Sequence, residues 1–269
     1  TDNITLLAVA SRWPPRTWGS LTQRALHQAA KLERAAAASD GRLVIARSRT
    51  EFEAALTARA AAGEQKPVIG ILSTEGLQAI EGELERVDTL FAHGFRMAGL
   101  THFFDNEVAG SAHGEAKGGL TALGREVVHR MEEKRMIVDL AHVAPKAFDE
   151  VLAMATRPVV VSHIGVTFVC PGPRNLSDLQ LVALRGNGAL IGIGYWDGAV
   201  SDPSPRTIAA AIQHAVVVAG EDHVALGSDW DGATTVAVSA DRVAQITQAL
   251  LDVGLTEAVI RKVMGENAI

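Results

Sequence analysis

The chain has 269 residues, long for one ordinary domain, with 48% hydrophobic and 21% charged residues, a globular composition and not a disordered one. Lys and Arg total 25 against 31 Asp and Glu, a formal charge of −6, and no basic stretch alternates with aromatics, which argues against nucleic acid as a partner. Cys170 is the only cysteine, so no intrachain disulfide can form and usage favours a cytoplasmic location. No apolar run reaches the roughly 18 uncharged residues of a membrane span.

The chain begins TDNITLLAVAS, with no initiator Met and no basic-then-apolar leader, and stops at VMGENAI. Both ends read as cut. A segment before Thr1 would take any signal or lipid anchor with it.

In chain order, short β-rich runs alternate with longer Ala-, Leu- and charge-rich stretches. ITLLAVA (4 to 10) precedes SLTQRALHQAAKLERAAAA, whose Leu21, Ala25, Leu26, Ala29 and Leu32 recur at helical spacing. LVIA (43 to 46) reads as an accessory strand, followed by a helix with Thr50 as its N-cap. VIGILST (68 to 74), a helical stretch through His93, and RMAGLTH (96 to 102) come next. Beyond them the strands are MIVDLAH (136 to 142), VVVSH within 158 to 163, ALIGIGY (189 to 195) and VALGSDW (224 to 230), each separated from the next by a helical pattern. Alternation of this kind predicts a parallel sheet with crossover helices. Seven barrel-type strands and a length near the roughly 250 residues typical of a (β/α)8 barrel point to that architecture, as one domain over 1–269 with its first strand lying before Thr1.

Five strands end in residues able to do chemistry: Glu75, His102, His142, His163 and Asp229. In a barrel, C-terminal strand ends form one face, where active sites lie. Imidazoles with carboxylates are the donor set of a zinc site, with manganese, cobalt or iron also suited. Each residue also has a structural reading. Glu75 suits the first turn of a helix, Asp229 and Asp231 suit a turn before Gly232, and His102 a satisfied core histidine. Asp139 either caps the following turn or orients His142. Arg174, in the loop PGPRN, is built for bidentate capture of a carboxylate or for pairing with Asp178. The histidines at 27, 93, 113, 129, 214 and 223 are assigned no role. LIGIG reads as a close-packed strand and not a phosphate loop.

STEG at 73 to 76, LTHFFDN at 100 to 106, VDLAH at 138 to 142, VSH at 161 to 163, RN at 174 to 175 and GSDWDG at 227 to 232 together resemble the membrane (renal) dipeptidase family, peptidase family M19. HFFDNEVAGSAHGEAKGGLTALG resembles its bacterial members. The resemblance implies a (β/α)8 barrel holding two zinc ions and hydrolysing dipeptides by a metal-bound hydroxide, including those with a D-residue at the second position. It implies that Glu75 bridges the metals, that His142 and His163 are ligands, and that His102 contacts the substrate. It further implies that Arg174 faces the substrate carboxylate and that Asp229 is the acid near the scissile amide. A homodimer is implied as well.

Family members carry a His-x-Asp pair on the first strand, and residues 1 to 20 contain none. The expectation is therefore one zinc or none in this chain. Two other readings stand beside the dipeptidase: a metal-dependent amidohydrolase acting on a lactam, lactone or cyclic amide, and an impaired relative acting as a binding or scaffold protein.

Overall fold

The computed structural model describes Val9, residues 11 to 232 and residues 234 to 269. The strand expected over 4 to 10 thus lies outside the described residues, apart from Val9, which is helical. The chain divides into two compact units. One comprises the chain up to His102 with Asn106–Val108 and Thr121–Val138; the other comprises Phe103–Asp105, Ala109–Leu120 and Asp139–Ile269. In both, strands pair in parallel and helices fill the connections, the α/β alternation read from the sequence.

In the first unit, α1 (Leu21–Ala37) starts where the Ser20 side chain accepts from the Gln23 amide, and it buries Ala25 and Ala29. Glu81 reinforces that start from far along the chain, accepting from the Ser20 hydroxyl, the Leu21 amide and the Thr22 hydroxyl. A carboxylate there both satisfies free donors and complements the helix dipole.

Strand β1 (Leu43–Ile45), the LVIA run, pairs with β2 (Val68–Gly70) in a two-stranded sheet of its own. The single strand expected over 68 to 74 is two. After Ile71, which is 44% exposed, β3 (Leu72–Thr74) pairs with β4 (Phe95–Gly99). Helix α2 (Arg49–Ala61) is capped by Ser48, which accepts from the Glu51 amide, and not by Thr50. The helical stretch after Glu75 is likewise broken, into a 3-10 turn (Leu77–Ile80) and α3 (Glu85–Ala92). Glu81 and Gly82 between them are left-handed, a conformation that ends helices. Helix α4 (Ala122–Glu133), capped by Thr121, leads to β5 (Ile137–Asp139).

From Asp139 onward the second unit contains α5 (Pro145–Met154), β6 (Val160–Ile164), α6 (Asp178–Asn187), β7 (Leu190–Ile193), α7 (Asp197–Val200), α8 (Pro205–Ala219), β8 (Val224–Leu226), α9 (Ala244–Asp252) and α10 (Glu257–Met264). Helix α6 has a full capping box, Ser177 with Gln180, and closes on left-handed Gly188. Val161, Ile191, Ile193 and Val224 are fully buried, as are Ile208 and Ile212 of α8. Near-continuous apolar strands of this kind belong to a parallel sheet covered on both faces, and each such side chain contributes about 1.5–3 kcal/mol of burial.

Two glycines set how closely these strands approach. A Cβ on Gly192 would stand 2.2 Å from the Ser162 carbonyl oxygen, and one on Gly227 2.5 Å from the same atom. LIGIG is therefore a close-packed strand, as its composition indicates. The clash at Gly192 is with backbone, which cannot turn aside. Gly192→Ala should destabilise the protein by about 3 kcal/mol, read as a lower midpoint in urea unfolding; an unchanged midpoint would show that the strands separate at little cost.

Candidate active site

In the first unit, β3 ends at Thr74 and delivers Glu75, followed by Gly76 at φ +95°. β4 ends at Gly99, three residues before His102. The Leu77 amide donates to the Leu100 carbonyl, tying the two post-strand segments together. His102 Nε2 consequently stands 3.6 Å from Glu75 Oε2, both side chains partly exposed. The carboxylate and imidazole singled out at two strand ends are thus neighbours.

In the second unit, the chain leaves β5 and turns to His142, whose φ of +65° is left-handed. A residue with a Cβ adopts that conformation at a cost of about 1–2 kcal/mol, so something must hold it. The Ala112 amide donates to the His142 carbonyl at 2.7 Å, and Ser111 bridges to Val143. On β6 the register against β7 slips between Val161 and Ile164, an irregularity that falls on Ser162 and His163. Slips of this kind re-aim side chains at strand ends. His142 and His163 end up buried, with their Nε2 atoms 2.8 Å apart.

Asp139 serves this pair by a route its spacing does not reveal. Its Oδ1 accepts from the amides of Ala141 (3.0 Å) and Ser162 (2.9 Å), and its Oδ2 lies 2.5 Å from the Ser162 hydroxyl. That hydroxyl is also 2.9 Å from His163 Nδ1. Asp139 therefore caps the turn and, through Ser162, addresses His163. Burial pushes its carboxyl above the usual carboxylate range, opposed by the Ser162 hydroxyl, the two amides and the Arg174 charge. With Asp139 ionised, the Ser162 hydroxyl donates its one hydrogen to Oδ2 and so can only accept from His163. His163 Nδ1 then carries the hydrogen and Nε2 keeps its lone pair.

Arg174 Nη2 donates to the His163 carbonyl at 3.0 Å, and its guanidinium stands 5.9 Å from the Trp196 ring centroid. Asp178 pairs instead with His214, at 2.7 Å. The neighbouring Asn175, buried, accepts from the Gly165 amide and donates to the carbonyls of Cys170 and Gly198, which fixes the loop. Trp196 packs 5.7 Å from the His163 ring, over Gly194, where a Cβ would meet the indole at 1.9 Å.

Asp229 follows β8 with φ +54°. Its carbonyl accepts from the Gly232 amide, the turn expected there, and its carboxylate lies over Gly232 so closely that a Cβ would fall 2.4 Å from Oδ1. Sequence reasoning gave no role to Ser162, Trp196, Phe103 or His113. The last two continue the row of rings: His113 lies 5.4 Å and Phe103 5.8 Å from the His142 ring. Ser162, adjacent to His163 at a strand end, carried the one signal that could have been read.

Glu75, His102, His142, His163 and Asp229 each belong to a group of side chains able to hold a metal ion. The membrane dipeptidase model of peptidase family M19 matches residues 5–269. A Klebsiella pneumoniae protein of the pqqA 5′ region is 33% identical over 220 residues, covering 77% of this chain and 79% of that one. The dipeptidase tcpJ of Claviceps purpurea is 31% identical over 208 residues, 74% of this chain but 49% of its own length, so this chain spans about half of that relative. Among solved structures, a metallopeptidase from Rhodobacter sphaeroides, liganded with a phosphinate mimic of the dipeptide L-Ala-D-Ala, is 27% identical with a TM-score of 0.78, covering 90% of this chain and 72% of that one. Among the described residues no helix is long and apolar enough to cross a membrane. With the family match running over nearly the whole sequence, this chain belongs to the membrane dipeptidase family, peptidase family M19.

Proposed function

We propose that the protein is a zinc-dependent dipeptidase whose residues 1–269 are one catalytic domain. The observation that carries this reading is the buried His142–His163 pair, with Nε2 atoms 2.8 Å apart, in a chain of this family. Two imidazoles that bring ring nitrogens together away from water fit a divalent cation, and the Asp139–Ser162 relay leaves His163 Nε2 able to bind one. Glu75 supplies the carboxylate. With His142 and His163 it would hold one ion. When bound, the ion supplies Lewis-acid polarisation of the scissile carbonyl and a water of pKa about 7.

The chain's own residues do the rest. Arg174 receives the free carboxylate of the dipeptide, which confines substrates to those with a C-terminus one residue beyond the scissile bond. A lactone or cyclic amide lacks that group, and this favours the dipeptide over the other substrates. His102 donates to the oxyanion as the carbonyl becomes tetrahedral. Asp229 takes the proton of the attacking water and passes it to the departing amine. The phosphinate mimic of L-Ala-D-Ala held by the Rhodobacter sphaeroides relative supports tolerance of a D-residue at the second position.

Elemental analysis of the 269-residue chain after removal of loose metal should give one zinc per chain, and His142→Ala should lose it. Zero in the unaltered chain would remove the metallopeptidase reading. Asp229→Asn should keep its zinc and lower kcat roughly 10²–10⁴-fold; near-normal turnover would show that another group moves the proton. Ser162→Ala should weaken zinc binding about 10–100-fold in a competitive chelator titration. Affinity equal to that of the unaltered protein would mean that the relay does not set the state of His163.

A further inference from the structure

Phe103 and His113 both pack against the His142 ring, and both are exposed, outside the fold's core. Phe103 is 48% exposed. Its ring meets His113 edge-on at 5.2 Å, and both rings pack against His142, at 5.8 and 5.4 Å.

The loop that carries His113 is not loose. Asp105, two residues after Phe103, accepts from the amides of Ser111 and Ala116 at 2.7 and 2.8 Å, and these backbone donors hold its carboxyl below the usual range. The His113 amide donates to the Ser111 hydroxyl, Ser111 is fully buried, and Gly114 lets the chain pass so near Asp105 that a Cβ would fall 2.0 Å from its Oδ1. The Ala112 amide bonds the His142 carbonyl itself. Two aromatic faces are thus fixed in place beside a buried imidazole. Surfaces ordered before binding gain the most from an apolar guest, because no side chain has to be ordered when it arrives.

The rings form a sequence. Arg174 and Trp196 flank His163, His163 faces His142, and His142 faces Phe103 and His113. We propose that Phe103 and His113 form the pocket wall for the side chain of the dipeptide's N-terminal residue, and that this wall selects bulky apolar side chains there. The proposal rests on the dipeptidase reading. A substrate whose carboxylate lies on Arg174, and whose carbonyl lies at the histidine pair, has only its N-terminal residue left to meet the rings that pack on His142. An apolar side chain on an aromatic wall gains both burial and ring contact.

The test is the ratio of kcat/KM for dipeptides with Leu or Phe first to that for dipeptides with Gly first, the second residue held constant, in the zinc-loaded protein. Phe103→Ala and His113→Ala should each lower this ratio about 10-fold, while His113→Phe, which keeps a ring, should preserve it. Binding of phosphinate dipeptide mimics with Leu-like and Gly-like first residues, by calorimetry, should follow the same order without turnover. Zinc content is measured on every variant, so that a loss of the ion is not taken for a loss of preference.

A ratio unchanged in both alanine variants would overturn the proposal. So would a preference that shifts with the second residue in place of the first. Failure of the zinc-loaded protein to cleave any dipeptide would overturn the dipeptidase reading and this inference with it, an outcome distinct from cleavage with unaltered preference.

Discussion

Two imidazoles brought to 2.8 Å at their Nε2 atoms, and removed from water, are the constraint around which the second unit is built. Ring nitrogens buried in this way are costly unless each lone pair meets a proton or a cation. The surrounding chain restricts both partners. His163 is fixed by Ser162 at Nδ1 and by a register slip on its own strand, and His142 by a backbone bond from Ala112 across its left-handed turn.

That geometry is strained, and magnitudes show why it persists. His142 and Asp229 both sit at positive φ without being glycine, each at a cost of about 1–2 kcal/mol. Against them stand Val161, Ile191, Ile193 and Val224, fully buried in the neighbouring strands and worth about 1.5–3 kcal/mol apiece. The strands supply the stability and their ends carry the strain. Gly192 and Gly227 belong to the same arrangement, because only backbone without a Cβ lets both strands close on the Ser162 carbonyl.

Much of this was legible in the sequence, for a physical reason. In a parallel sheet each strand is a short apolar run, so polar residues mark where it stops, and Glu75, His102, His142, His163 and Asp229 stand at or just past those transitions. What was not legible depends on partners distant in the chain. Asp139 lies three residues from His142, and spacing offered that neighbour; in the fold its carboxylate reaches the adjacent strand and Ser162, 23 residues on. The run at 68 to 74 reads as one strand because its hydrophobicity is continuous, yet β2 and β3 pair with different strands on either side of Ile71. Ser48 displaced Thr50 as a helix cap because both are good caps, and only the backbone conformation at Ser48 decides between them. His113 carries no local signal: its contact with His142 exists because Ala112 and Ser111 pair with the segment around that residue.

His163 also explains why one short strand can serve several tasks. Its carbonyl receives Arg174, its Nδ1 meets Ser162, its Nε2 faces His142, and its ring lies against Trp196. In the proposed function, recognition of an anion and the holding of an ion would thus be referred to the same few atoms of β6. A site of this kind tolerates displacements of only about 0.5 Å before its groups fall out of register. Sharing one residue between the two tasks makes their relative position a property of a single peptide unit, and not of two loops that would have to be positioned independently.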